Sequence, residues 1–512
     1  MASKTLFKTT NTLPANTVNK AGGIAYSLSD KEALAQLVTT GCLNQTYYAT
    51  ADEQLDQIKS RCAKVDPEFL AKLAVYGRQN ARMKDTPAYI LAWLFGNGHT
   101  ELVQSIFTKV VDDMKMLCNF VQIVRSGAAG RKSFGTLGKQ LINDFITKKG
   151  DMELFRMNIG HSDPSFTDII KMTHPKASND SQNNMFKYIL NKDFNLELLP
   201  PDVMQFEKFK KDSTLDIPSV DFRLLSNITM TEAQWCSIAE SMGWTTLRMN
   251  LNTIGRHGVF NNKQTLSRVA AKLSDREAVL KSKVMPYQIM TAYLNAECPD
   301  KVSNALQDAM EIATETVPSL GDVAVCVDVS GSMSSPITGH RGTVTTKMNC
   351  LNIAALIASC LIRKNDDVKT VLFDGNAREM KLNSRDSVMT NSKIISAQLG
   401  GSTNCGAAIA LMNQKNYTNK TVIMISDNES WCGMDGRWGQ TGMRDQWNKY
   451  KARVKGAKLI LIDIQPGTTT QAQSDSSVLN IGGFSDAVWD IINKFVNNKA
   501  VSFVSEIDKI SV

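Results

Sequence analysis

Between about Asp30 and Val317, apolar residues recur at three- and four-residue intervals in a succession of short runs separated by polar breaks. The runs include ADEQLDQIKSRCAKV, PEFLAKLAVYGRQN, TPAYILAWLF, TELVQSIFTKVVDDM, SFGTLGKQLINDFI, QTLSRVAAKL and KVSNALQDAMEIATETV. In PEFLAKLAVYG, Phe69, Leu70, Leu73 and Tyr76 fall on one face of a 3.6-residue period, so the spacing predicts an amphipathic helix. Proline at Pro67 and Pro87 suits a first helical turn, and Thr231 with Gln234 has capping-box spacing. Helices this short cannot each bury an apolar face alone. Stacked in pairs they form a solenoid, and the lack of a strict sequence period fits a degenerate HEAT or armadillo type. Leu196–Pro218 interrupts the pattern with Pro200-Pro201 and the basic run Lys208-Phe209-Lys210-Lys211, and reads as an irregular connection.

From Gly321 the period changes. DVAVCVDVS, VKTVLFDG, KTVIMIS and AKLILIDI are short, β-branched and apolar throughout. Helical patterns separate them: MNCLNIAALIASCLIRK, NCGAAIALMNQ and GMRDQWNKYKARVK. Fully apolar strands alternating with helices predict a doubly wound, mostly parallel α/β sheet. Sites in such sheets lie beyond the carboxyl ends of the strands.

Those ends carry oxygen donors. The first strand runs into Asp328-Val329-Ser330-Gly331-Ser332, a later one into Ile425-Ser426-Asp427, and Gly400-Gly401-Ser402-Thr403-Asn404 lies between them. A carboxylate and two hydroxyls at alternating positions, with a second carboxylate and another hydroxyl on the same edge, suit a hard divalent ion such as Mg²⁺. The set resembles the metal-ion-dependent adhesion site of von Willebrand factor A (vWA) domains, a DxSxS motif with a distant Thr and a distant Asp. The resemblance implies Asp328, Ser330, Ser332, Thr403 and Asp427 as ligands. Ser402 competes with Thr403 for its place, and Glu429 with Asp427. The rival reading is a serine-rich turn that merely caps the next helix. His340, in a polar loop, is the nearest histidine in sequence, and neither GxSxG nor HExxH occurs. No enzyme is expected.

Composition adjusts this picture only slightly. At 512 residues the chain exceeds one core, and 43% hydrophobic with 21% charged residues is ordinary for a folded protein. The net charge of +8 permits a nucleic-acid partner without demanding one. The 10 cysteines form no CxxC pair and sit mostly in apolar settings, so they read as buried thiols. The polar N-terminus has no apolar h-region and no stretch is long enough to span a membrane, so a cytoplasmic protein is expected.

The basic residues are grouped. Arg125, Arg131, Lys132 and Lys139 surround a glycine-bearing helix junction in RSGAAGRKSFGTLGKQ. Lys171, His174 and Lys176 follow in DIIKMTHPKAS, with Lys171 and His174 three apart on a predicted helix. Arg248, Asn252 and Arg256 step by four residues, which predicts one polar helical stripe ending at His257. Arg78, Arg82 and Lys84 lie in YGRQNARMKDTP. Taken singly, each cluster reads as a solvated helix face. Their recurrence at helix ends, beside Asn and His, fits phosphate contact and base reading in RNA.

Helical repeats followed by a DxSxS domain, in that order, resemble the Ro autoantigen family, which is built on the TROVE module. The matching segments are Asn19-Lys20-Ala21-Gly22-Gly23, DIIKMTHPK, SGAAGRKSFGTLGK, TTLRMNLNTIG and GGSTNC. The resemblance implies a TROVE/HEAT-repeat RNA-binding module over 1–318 that closes into a ring, a vWA domain with Mg²⁺ over 319–498, and a tail over 499–512. It implies binding of small non-coding Y-like RNA and of single-stranded 3′ ends of misfolded RNA. An exoribonuclease or other protein is the implied partner, with no membrane and no DNA. It places Lys171, His174 and Lys176 on Y RNA. Arg125, Arg131, Lys132, Lys139, Arg248, Asn252, Arg256 and His257 then fall on an RNA-facing wall. The chain departs from the family pattern in FRMNIGHSDPSF, where Arg156 alone clearly supplies charge, and in the Gly-Gly-Ser-Thr-Asn of the Thr403 loop. The alternative is a Mg²⁺-dependent vWA interaction adaptor on a helical scaffold.

Overall fold

A computed structural model describes residues 15–160, 163–341, 345–432, 442–497, 499 and 501–512. The chain divides into two compact units, one from residues 15–61 with Val317–Glu506, the other from Cys62–Thr316 with Ile507–Val512. The break at Thr316 lies beside the expected boundary at 318. Residues before 62, however, group with the α/β unit and not with the helices. Among the described residues no helix is long and apolar enough to cross a membrane.

Among the described residues the α/β unit has nine strands: β1 (Thr17–Val18), β2 (Ile24–Ser27), β3 (Val323–Asp328), β4 (Lys369–Phe373), β5 (Ala377–Met380), β6 (Thr421–Ser426), β7 (Lys458–Asp463), β8 (Thr469–Thr470) and β9 (Val478–Gly482). Six of them form a sheet in the order β5-β4-β3-β6-β7-β9, parallel except for β5 at one edge. The four predicted strands are its centre. β3 and β6 are buried at every position, as a strand covered on both faces requires. The helix Cys350–Lys364 is buried from Cys350 through Ile362 except at Asn352. Another layer packs Trp447 and Tyr450 over Val422, Met424 and Leu459. Each such side chain, fully buried, contributes about 1.5–3 kcal/mol.

The N-terminal residues join this unit through pairing and packing. β1 pairs with β2, and β2 with β8 (Tyr26 opposite Thr470), giving a small antiparallel sheet. The helix Asp30–Thr40, capped by Ser29 and Glu32, buries Ala33 through Thr40. Gln36 and Thr39 lie against Gly482, where a Cβ would meet the Gln36 Oε1.

In the helical unit the predicted helices form at Pro67–Gln79, Asp85–Gly96, Thr100–Val110, Gly135–Thr147, Lys263–Leu273 and Asp300–Thr314. Phe69, Leu70, Leu73 and Tyr76 are buried, Asp66 caps Pro67–Gln79, and the Thr231–Gln234 capping box is present. Successive helices pack on one another, as Phe95 and Phe107 both do edge-on against Phe120. The helical-repeat expectation therefore holds. Three local expectations need correction. Leu196–Pro218 is not irregular: Pro201–Lys211 is a helix that buries Val203, Phe206 and Phe209, with Pro201 in its first turn. Lys171 and His174 do not share a helical face, because Phe166–Thr173 ends first and His174 is its left-handed cap at φ 51°. The 248–256 stripe is not one helix, because the backbone breaks at Asn250 (φ −122°) between Trp244–Met249 and Leu251–Arg256.

Candidate metal centre and candidate nucleic-acid interface

β3 and β6 are neighbours, so their ends bring Asp328 and Asp427 to one edge. Asp328 and Ser330 are fully buried, and Ser332, Thr403 and Asp427 are nearly so. The turn after β3 is self-bonded: the Ser330 N–H donates to Asp328 Oδ1 at 2.9 Å, and the Ser330 and Ser332 hydroxyls are 3.2 Å apart. The Ser426 hydroxyl donates to Asp328 Oδ2 at 2.6 Å, which ties the two strand ends together. Ser332 lies near Asp427, whose Oδ1 accepts from the Glu429 N–H at 3.3 Å. The Thr403 loop is held between them, as the Gly331 N–H donates to the Gly401 carbonyl and the Gly400 N–H to the Val329 carbonyl. Ser402 turns elsewhere: its hydroxyl abuts Gly375, whereas Thr403 is buried at the strand edge. That favours Thr403 over Ser402. All five sequence-predicted residues thus converge on one edge.

Burial shapes the electrostatics of this edge. Asp328 is pushed up by burial and by the Asp427 charge, and Asp427 itself is raised by burial. Asp427 Oδ2 is buried with no hydrogen-bond partner among the described residues. Buried carboxylates with an unpartnered oxygen beside two or three hydroxyls match the hard-oxygen set a divalent ion takes. No group of three or more His, Cys, Asp or Glu among the described residues is arranged to hold a metal, so an ion here needs the hydroxyls as well.

Three participants, Asp463, Lys20 and Tyr48, were not named as site residues from the sequence, and a fourth, Glu429, entered only as the rival of Asp427. Asp463, at the end of β7, is buried and held well above the usual carboxylate range by burial and by Glu429 and Asp427. Glu429 is buried too, and burial with the Asp427 charge pushes it up to about 7. It is no replacement for Asp427: its Oε2 accepts from the Ala21 N–H at 3.2 Å. Lys20 places its ammonium on the Pro466 carbonyl at 3.1 Å, close enough to Glu429 and Asp463 to feel both charges. Tyr48 lies near Ser332 and Asp427. Asp463 was legible, since it ends an apolar strand as Asp328 does. Lys20 and Tyr48 carried no signal, being hundreds of residues away in sequence.

In the helical unit a groove of about 1120 Å³ is lined by Arg125, Lys132, Lys139, His174 and Lys176, along with Asn143. It unites two of the basic segments. The Asn143 Nδ2 donates to the Thr173 carbonyl at 3.1 Å and so fixes the turn that carries His174. Asn143 Oδ1 has no hydrogen-bond partner among the described residues. His174 holds a left-handed backbone that costs a non-glycine residue about 1–3 kcal/mol, a strain of the kind found where a side chain must be aimed. Gly127 is left-handed at φ 82°, and a Cβ there would strike the Lys132 side chain. The glycine therefore leaves room for the Lys132 stem to cross the junction. Arg131 is partly buried with its guanidinium 4.5 Å from the Phe95 ring centre, and Lys171 is exposed; neither lines the groove.

The second basic segment has a structural explanation. Arg248 is 8% exposed and donates to the Gln288 carbonyl, so its guanidinium is spent on holding Trp244–Met249 to Pro286–Asn295. Asn252 is committed at both ends, donating to the Asn295 carbonyl at 2.9 Å and accepting from the Glu297 N–H at 2.8 Å. His257 stacks on Trp235 with ring centres 3.8 Å apart. Arg256 alone keeps an exposed guanidinium, bonded only to the Asn252 carbonyl and the Thr253 hydroxyl of its own helix. Arg248→Ala is therefore expected to destabilise the helical unit by roughly 1–3 kcal/mol, because it removes the buried guanidinium that ties Trp244–Met249 to the Gln288 carbonyl. A chemical-denaturation midpoint checks this; an unchanged midpoint would mean the guanidinium is not structural.

Comparison with known proteins places these features in context. Residues 323–496 match the Ro60 vWA domain. Over 94% of its length the chain is 23% identical to the RNA-binding protein RO60 of Deinococcus radiodurans, covering 95% of that protein. Half the chain (51%) is 23% identical to 41% of the RNA-binding protein RO60 of Caenorhabditis elegans. The crystal structure of the Deinococcus radiodurans RO (RSR) protein superposes with a TM-score of 0.63 at 19% identity, over 91% of this chain and 99% of that one. Residues 323–496 are thus similar to the Ro60 vWA domain, and the chain as a whole shares its fold with a solved RO protein.

Proposed function

We propose that this protein is a non-catalytic RNA-binding protein. It takes small structured Y-like RNA on the basic groove of the helical unit, accepts single-stranded 3′ ends of misfolded RNA, and so serves non-coding RNA quality control. The observation that carries the reading is the groove itself. Arg125, Lys132, Lys139, His174 and Lys176, from two segments separated in sequence, line one cleft. Lysine and arginine there can neutralise phosphates, while the exposed His174 can meet 2′-hydroxyls or base edges. The relatives named as RNA-binding proteins support the same class of partner. The test is a mobility shift with a structured small RNA bearing a single-stranded 3′ tail, and with the same RNA trimmed blunt. Tail-dependent retardation without cleavage is expected. Cleavage, or no shift at low salt, would contradict the reading.

A second role is proposed for the α/β unit on its own observation. Asp328, Ser330, Ser332, Thr403 and Asp427 form a buried oxygen set with an unpartnered carboxylate atom, and would hold one Mg²⁺. The ion would neutralise the two aspartates and offer a Lewis-acidic point to an acidic group, whether an exoribonuclease or another protein.

A further inference from the structure

The loops of the proposed metal site are met by residues 19–48 of the same chain. Three contacts fall on the Asp427 side. The Asn19 Nδ2 donates to the Ser430 carbonyl at 2.7 Å, the Ala21 N–H donates to Glu429 Oε2, and Gly23 packs so closely on Ser430 that a Cβ would stand 1.9 Å from its carbonyl oxygen. Asn19 Oδ1 in turn accepts from the Gly23 N–H at 2.7 Å, which fixes the Asn19–Gly23 turn in the shape that makes those contacts. A second group falls on the Ser332 side. Tyr48 lies near Ser332, the Asn44 Nδ2 donates to the Thr338 carbonyl at 3.0 Å, and the His340 N–H donates to the Gln45 carbonyl at 2.8 Å. Gln54, 1% exposed, bonds the Leu43 N–H and the Asn44 carbonyl and so braces this loop from behind. Between the two groups, the helix Asp30–Thr40 is seated on the β9 end. Both ligand-bearing loops are therefore gripped by one continuous segment, and its lysine at position 20 sits among the carboxylates that a single divalent ion leaves uncompensated.

We propose that the resident partner of this site is the chain's own segment 19–48, so that occupation of the site by a divalent ion and seating of that segment are coupled. The inference rests on the metal reading above. The loops that carry Ser332 and Asp427 are bonded by the segment at Thr338, Ser430 and Glu429, with Tyr48 near both residues, and the same loops would hold the ion, so ordering either partner reduces the cost of ordering the other. Linkage makes the effect reciprocal: what weakens the segment weakens the ion by the same factor.

The test uses the full chain and Mn²⁺ as probe. Mn²⁺ affinity is titrated in the native protein, in Asp328→Ala, in Tyr48→Ala and in the exposed neighbour Tyr47→Ala. Amide hydrogen exchange over residues 19–27 and 42–50 is followed with Mg²⁺ and with EDTA. Expected are single-site Mn²⁺ binding lost in Asp328→Ala, weakened roughly tenfold in Tyr48→Ala and unchanged in Tyr47→Ala, and faster exchange in both stretches in EDTA. Mn²⁺ binding lost in Asp328→Ala but unaltered in Tyr48→Ala, with exchange indifferent to metal, overturns the coupling and leaves the metal site standing. No saturable Mn²⁺ binding in the native protein removes the metal site and the coupling with it.

Discussion

Reversing Lys132, Lys139 and Lys176 together to glutamate is expected to weaken binding of a structured small RNA on the order of a hundredfold near physiological salt. It should also flatten the salt dependence. Each phosphate neutralised contributes a slope of about −0.9 in log affinity against log salt on duplex, so losing three contacts should flatten it by roughly three. The three lysines are exposed, and their ammonium groups make no ion pair that holds the fold together, so the variant should fold. Reversing Lys208 and Lys211, exposed on another helix of the same unit, separates local contact from mere net charge and should have only a small effect. Competition in a fluorescence-anisotropy titration over a salt series reads both quantities. Equal losses in the two variants would dissolve the groove into a general electrostatic attraction.

The second large effect concerns the α/β unit and pH. Glu429 is pushed up to about 7 by burial and the Asp427 charge, and Asp328 and Asp463 are raised by burial. A carboxyl raised in the folded state holds its proton longer than in the unfolded chain, so its contribution is fully present below about pH 4 and is lost as pH rises through about 7. In EDTA the melting transition of this unit should therefore fall between pH 5.5 and pH 8. Mg²⁺ acts in the opposite sense, because it needs the deprotonated ligands. At a hundred times its dissociation constant it should restore about 2.7 kcal/mol at pH 8 and much less at pH 5.5. Differential scanning calorimetry with and without Mg²⁺ at the two pH values measures this. A transition that rises with pH in EDTA would mean the carboxylates are not paying a burial penalty.

Much of the α/β unit was legible because its chemistry is local. An apolar strand announces itself by composition, and the residue after it is placed at the sheet edge by topology, so DVAVCVDVS and KTVIMIS between them delivered Asp328 and Asp427. The helical unit was legible as a class for the same reason, period by period. What escaped depended on contacts far apart in sequence. Asp30–Thr40 has the texture of another repeat helix, and only its packing at Gly482 shows that it serves the sheet. The 248–256 stripe failed because a four-residue step says which residues share a face but not whether that face is solvated. There the stripe faces the Gln288, Asn295 and Glu297 backbone. His174 shows the converse. It lies past its helix, yet the left-handed cap carries it into the groove that Lys132 and Lys139 line, a juxtaposition no helical wheel contains.

Photo-crosslinking of the full chain to a small structured RNA, with the crosslinked peptides read by mass spectrometry, tests the central claim most directly. The groove predicts adducts on peptides spanning 125–147 and 172–176, lost when Lys132, Lys139 and Lys176 are reversed, with few on 244–257. RNA that binds tightly but crosslinks chiefly outside those groove peptides would contradict it.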